Sequence, residues 1–190
     1  MKPHGELTVK IARKISQILD KNEYKLLYDH GVSGKNVGKI VSWFGNKDKC
    51  ERETELSQLD IAIIEQNRNK AIALVEIEET NDRPKTLLGD ALCVLMGDHI
   101  CFGGNYKILV DERTILIILG KSEVSHAKHN EKRNKYLCEK VMKIKSGLST
   151  VNCVIGNVVI ESFSGEEEME TQLSYAVKRA LEGESSNGKS

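Results

Sequence analysis

No charge of one sign dominates this sequence: Lys plus Arg and Asp plus Glu number 28 each, so the formal net charge is zero. Bulk electrostatics therefore give no argument for nucleic acid, and any such case must rest on where the charges lie. No CxxC pair occurs among the five cysteines, at positions 50, 93, 101, 138 and 153, and their number is odd. That argues against a disulfide framework, and His126 and His129 stand too far in sequence from most cysteines to suggest zinc. A reducing cytosol is the expected home. No apolar run reaches the length that spans a bilayer, and "MKPHGELTVKIARK" holds no apolar signal core, so a soluble cytoplasmic protein with no membrane partner is expected. Repeats and long linkers are absent too.

What is present is a globular composition, 39% hydrophobic and 29% charged over 190 residues. That suits one domain, residues 1–182, followed by "GESSNGKS" (183–190) as a disordered tail. From Glu6 to Tyr28 apolar residues recur mostly at helical spacing, which predicts one amphipathic helix broken at Gly31 and Gly34. "VGKIVSWF" (37–44) is a candidate strand. "LDIAII" and "AIALVEI", separated by "EQNRNK", predict a β-hairpin. Pro84 can open a helix over "KTLLGDALCVLMGDHI", which "CFGGN" should stop. "YKILV" and "TILIILG" are two strands, the second apolar enough to be central. A helix over 125–145, a strand within "NCVIGNVVIESF" and a last helix with a Ser164–Glu167 capping box complete the reading. The predicted order is α-β-β-β-α-β-β-α-β-α, an α/β domain with a mixed central sheet.

The chemistry sits in "KAIALVEIEETND". Five apolar residues, Ala71–Val75, run into three carboxylates within four positions: Glu76, Glu78 and Glu79. Glu76 and Glu78 lie two apart on a strand and share a face, with Glu79 and Ile77 on the other. Asp60, between Leu59 and Ile61, is an acid inside an apolar strand. Opposed residues of an antiparallel hairpin keep a constant sum of positions. A loop of Asn67, Arg68 and Asn69 sets Gln66 against Lys70 and, in that register, Asp60 against Glu76. Cβ atoms of such a pair lie about 5 Å apart, so the like charges repel unless a cation sits between them. With Glu78 beside them, Asp60 and Glu76 offer hard oxygen ligands that suit Mg2+. Against this stands the plainer reading, a strand end emerging into water.

An acid-bearing strand, a turn, then an apolar strand ending in acid-x-acid resembles the PD-(D/E)XK nuclease superfamily, whose α-β-β-β-α-β core matches the order read for Glu6 to Gly120. The resemblance implies a restriction-endonuclease-like core with extra C-terminal α-β-α elements, and Mg2+, with Mn2+ as a substitute, held by Asp60 and Glu76. The carbonyl of Ile77 is a further implied ligand. Glu78 takes the place of the usual lysine, as in the E-x-E version known among some restriction enzymes, and would hold metal or help activate water. Leu59 replaces the motif proline. Lys85 is the nearest replacement cation and Lys70 a weaker one. A first-helix acid often joins such sites; Glu23 is chosen on helical phase, with Glu6 and Asp20 as rivals.

The implied reaction is hydrolysis of DNA phosphodiester bonds, and enzymes of this class often work as homodimers. "HAKHNEKRNKYLCEKVMKIK" (126–145) carries seven Lys or Arg against two Glu. Lys128, Lys132, Arg133 and Lys135 could neutralise DNA phosphates there, with Asn130 and Asn134 adding hydrogen bonds; a solvated charged face is the competing reading. "GVSGKNVGKI" fails the Walker pattern, since Ser33 stands where its first glycine belongs and Ile40 follows Lys39. Gly103 and Gly104 read as a helix stop and Gly89 as a close-packing position. Cys93 and Cys101 read as buried, inert thiols. Two further classes stay open: a non-catalytic module on the same fold that binds nucleic acid or protein, and an enzyme acting on small substrates.

Overall fold

Leu26 and Leu27 are neighbours in the chain and both are buried, yet they enter different layers of the core. Only an extended segment sends adjacent residues to opposite sides. Tyr24–Tyr28 is accordingly a strand, β1, and not the end of the first helix, which stops at Ile18. The break is chemical. The Asp20 side chain accepts from the Asn22 amide, and its carbonyl accepts from Glu23 and Tyr24, turning the chain out of helical phase.

The computed structural model describes residues 5–30, 34–45, 52–123 and 127–182 and shows one α/β domain. Its elements are α1 (Glu6–Ile18), β1, β2 (Ile40–Trp43), β3 (Glu55–Leu59), β4 (Ile61–Glu65), β5 (Lys70–Glu78), α2 (Pro84–Leu95), β6 (His99–Phe102), β7 (Tyr106–Ile108), β8 (Ile115–Lys121), α3 (Ala127–Lys145), β9 (Asn157–Phe163) and α4 (Glu166–Leu181). The glycines at 31 and the residues 183–190 named above lie outside the described residues. Among the described residues no helix is long and apolar enough to cross a membrane.

The main sheet is mixed, in the order β1-β4-β5-β8-β9. β1, β4 and β5 run antiparallel to their neighbours, while β5, β8 and β9 run parallel. β5 is the central strand; β8 is interior, between β5 and β9, and its residues Ile115–Gly120 are all buried, as its unbroken apolar run predicts. One face packs on α1 and α4 through Ile11, Ile15, Met169, Leu173 and Val177; the other packs on α2 and α3 through Leu87, Ala91, Val94, Leu137 and Val141.

A second sheet, β3-β2-β6-β7, is antiparallel throughout and was not expected as a unit. "CFGGN" does not stop a helix. His99–Phe102 is strand β6, and Gly103 and Gly104, at φ 60° and 85°, make the tight turn into β7. "SQLDIAII" divides between the sheets: β3 ends at Leu59, Asp60 forms a bend, and β4 begins at Ile61. The capping box also shifts. Gly165 is the N-cap of α4, and the Ser164 amide and hydroxyl are both bonded to the Glu168 carboxylate, at 2.8 and 2.6 Å, with Glu167 uninvolved.

Candidate active site

The β4–β5 hairpin sets the phase of the acids. At its tip Glu65 opposes Lys70, so the loop is four residues long, 66–69, and not three. A bulge then intervenes between Ile63 and Ile64, leaving Ile72 unpaired on β5, and beyond it Ile61 opposes Val75. The bulge restores the register expected from a three-residue loop. The ladder ends at Ile61; Asp60 then bends out of it with its amide donating to the Val75 carbonyl, so the expected ladder pair of Asp60 with Glu76 is not formed.

Asp60 is held by α1 and by β5. Its Oδ1 accepts from the Thr8 hydroxyl of α1 at 3.1 Å, and its Oδ2 accepts from the Ile77 amide at 2.8 Å. Its own amide donates to the Val75 carbonyl, and its carbonyl accepts from Asp29. The Asp60 carboxyl thus occupies a backbone partner's place beside the residue between Glu76 and Glu78. Burial pushes its pKa up from 3.8 to about 6, against the opposing pull of the Ile77 amide, the Thr8 hydroxyl and nearby His30.

Glu76 is the most perturbed acid of the group. Burial pushes its pKa from 4.5 up to about 10, and the charges of Asp60, Asp90, Glu78 and Asp29 add to the rise. Its Oε2 is shielded from solvent and, among the described residues, has no hydrogen-bond partner. Glu78 accepts from the Thr80 amide at 2.7 Å and from the Thr80 hydroxyl, which steadies the turn after β5. Asp90 of α2 is pushed up to about 6 by burial and then by Glu78.

Three contributors lie outside the expected set. Asp90 sits beside Leu87 and Val94 on α2, so the helix that covers the sheet also carries a carboxylate toward β5. Asp29 follows β1 and accepts from the Gln58 amide side chain. Thr8 steadies Asp60 from α1. The signal for Asp90 was the one already used for Asp60, an acid inside an apolar run. Asp29 was hidden by reading β1 as helix.

Several expected residues stand elsewhere. Glu23 is exposed and lies beyond α1 at the opposite end of β1, where its carbonyl accepts from Gln66 at the hairpin tip. Its rivals do not join either: Glu6 is 4.0 Å from Lys10 and Asp20 caps the turn before β1. Lys70 pairs with Asp111 at the far end of β5. Lys85 is exposed on the first turn of α2 and, among the described residues, makes no hydrogen bond or ion pair with Glu76 or Glu78. Arg133 is bonded to Asp82 at 2.9 Å, tying α3 to the loop after β5. Asn130 and Asn134 are buried and bonded to Ser122 and Ser162, so neither is available to DNA. Lys132 and Lys135 are exposed, and the side chain of Lys128 lies outside the described residues.

Gly120, opposite Glu78 on β8, closes the site from beneath. A Cβ there would meet Asp82 Cβ and Leu87 Cδ2 at 2.8 Å, so the absence of a side chain lets the loop after β5 and the start of α2 settle on the sheet. Gly89, by contrast, has open space around it and needs no close packing.

Among the described residues no three His, Cys, Asp or Glu side chains stand ready, as placed, to enclose one metal ion. The implied ligand set asks for less: two carboxylates, Asp60 and Glu76, and the Ile77 carbonyl. A shielded carboxylate oxygen among like charges, without a partner among the described residues, is a donor suited to a hard cation, and the donor set fits one. Comparison with protein-family models, with curated proteins and with solved structures found no match to this chain.

Proposed function

We propose that this protein is a Mg2+-dependent nuclease that hydrolyses phosphodiester bonds in DNA on a restriction-endonuclease-like core. The observation that carries the reading is the buried Glu76 Oε2, without a partner among the described residues and crowded by Asp60, Glu78 and Asp90. Two negative groups kept together at the end of a sheet are unfavourable unless a cation or a proton compensates them. The path of the chain gives further support. α1, antiparallel β1, β4 and β5, then α2 on the opposite layer and β8 parallel to β5 follow the α-β-β-β-α-β order, with β2–β3 and β6–β7 added as a second sheet.

In this reading Asp60, Glu76 and the Ile77 carbonyl hold the ion, with Glu78 sharing that work or handling the water. A bound Mg2+ would lower the pKa of a water and offset charge growing on the phosphoryl oxygens. The chain's own groups do the rest. The Ile77 amide and the Thr8 hydroxyl fix both oxygens of Asp60. Glu78, two residues along β5 from Glu76, is the carboxylate placed to take the proton of the attacking water. Asp90, pushed up to about 6, can receive it in turn. Lys85, at the open start of α2, would meet the phosphate, taking the part of the lysine that Glu78 displaces.

Incubation with supercoiled plasmid in Mg2+ or Mn2+ tests this directly. Wild type should nick or linearise it, and Asp60→Ala and Glu76→Ala should leave it intact while staying folded. Activity that survives in either variant ends the assignment. A non-catalytic nucleic-acid- or protein-binding module is the second reading, favoured by the missing motif lysine and by the exposed position of Lys85. In that case Mg2+ and Mn2+ titrations give no heat and no thermal shift.

A further inference from the structure

A groove of about 560 Å³ runs between α1 and β1, on the edge of the main sheet that is not covered by another of its strands. Among the described residues its lining holds four cations, Arg13, Lys21, Lys25 and Lys35, and no carboxylate. On a chain of zero net charge that is a local excess and not a bulk property. Tyr24 and Tyr28 project into it from alternate positions of β1, over an apolar floor that includes Leu19 and Leu26. Tyr24 and Tyr28 stand four residues apart on the strand, about 13 Å.

The groove leads to the acids. Tyr28 is paired with Ile61, the residue after Asp60, and the Asp29 amide donates to the Asp60 carbonyl. At the other end Glu23 and Glu65 border Tyr24, and with burial they raise the pKa of its phenol. An anion lying along β1 therefore meets cations in the middle and carboxylates at each end. Only one of those ends carries the Asp60–Glu76 pair.

We propose that this groove binds a short stretch of single-stranded nucleic acid and directs its backbone toward Asp60 and Glu76. Cations along a groove to follow phosphates, with aromatic faces to stack bases, are the two components such binding needs. A duplex presents phosphates but keeps its base faces stacked, leaving the tyrosines and the apolar floor without a ligand. The proposal rests on the nuclease reading only for what the bound strand is for; the binding itself does not.

Fluorescence anisotropy with a labelled oligothymidylate, in EDTA, tests it. Wild type should bind, and unlabelled duplex should compete less well than unlabelled single strand. The variant Arg13→Gln/Lys21→Gln/Lys35→Gln should bind at least about tenfold more weakly, and its salt-dependence slope should fall by about 2, at about 0.7 per lost phosphate contact. Lys25 is spared because its Nζ lies over the Tyr106 ring, 5.2 Å from the centroid. Tyr24→Ala should lose at least about fivefold with the cations in place. Should the triple variant fail to fold, Lys35→Gln alone, at an exposed position, should still weaken binding. The groove is rejected if the folded variants bind like wild type, if Lys132→Gln/Lys135→Gln carries the loss instead, or if duplex outcompetes single strand. Oligonucleotide binding without any plasmid cleavage would reject the nuclease and keep the groove. Plasmid cleavage without oligonucleotide binding would reject the groove alone.

Discussion

Replacing Glu76 by glutamine keeps the shape of the side chain and removes its titration. In the metal-free protein burial and neighbouring carboxylates push the Glu76 pKa from 4.5 up to about 10. A raised acid pKa means that the folded state holds its proton after the unfolded state has released it. The contribution of Glu76 to stability is therefore greatest below pH 4.5 and falls as pH rises toward 10, by about 1.4 kcal/mol per pH unit. At pH 7 about two and a half units separate the solution from the unfolded pKa, so the protonated Glu76 costs about 3 kcal/mol. That figure does not depend on the exact folded pKa, provided it stays above the working pH. Glu76→Gln should recover it, raising the metal-free Tm at pH 7 by about 6–12 °C for a chain of this size. Urea unfolding at pH 5, 7 and 9 in EDTA measures the effect. The variant's stability curve should be flatter than wild type's, with the two converging toward pH 5. Parallel curves would show that Glu76 ionises normally and would remove the electrostatic argument for the site.

Binding of Mg2+ at pH 7 requires Glu76 to ionise, so calorimetry in buffers of different ionisation enthalpy should report about one proton released per ion; none released would mean that the ion binds elsewhere. Gly120→Ala places a Cβ against Asp82 and Leu87 and should lower stability by about 1–3 kcal/mol, read as a shifted urea midpoint with unchanged slope. Gly89→Ala adds its Cβ into open space within α2 and should raise stability by about 0.5–1 kcal/mol in the same assay. A loss at position 89 would mean that the helix is not packed as described.

The elements that could be read from the chain alone are those whose side chains answer to a single requirement. β8 is apolar without interruption because both of its faces are covered, and β5 is apolar until it leaves the core. Pro84 opens α2 where a proline can. β1 misled because Leu26 and Leu27 also fit a helical stripe when the strand that pairs with them is unknown. The second sheet was missed because its strands are three to five residues long and the pairing that joins its two hairpins, β2 with β6, links segments far apart in the chain. The acids of β5 stood out by position, and Asp60 by its apolar neighbours. Asp90 carried the same mark, but its place at the site depends on the packing of α2, and Thr8 carried none, since it matters only through the packing that brings α1 to the end of the sheet. The basic run on α3 overstated the available charge: Arg133 is spent on Asp82, and the two asparagines face inward.

The unpaired Ile72 has a consequence for how such a centre can be built into a hairpin. Near the turn the two strands count in one frame, and beyond Ile72 they count in another. If the first frame were kept throughout, Glu76 would be turned under α1, among Ile61, Ile63 and Ile117. One supernumerary residue thus uncouples the two ends of the hairpin. The tip can lengthen or shorten with its own geometry, while the distance from Ile72 to Glu76 must stay fixed.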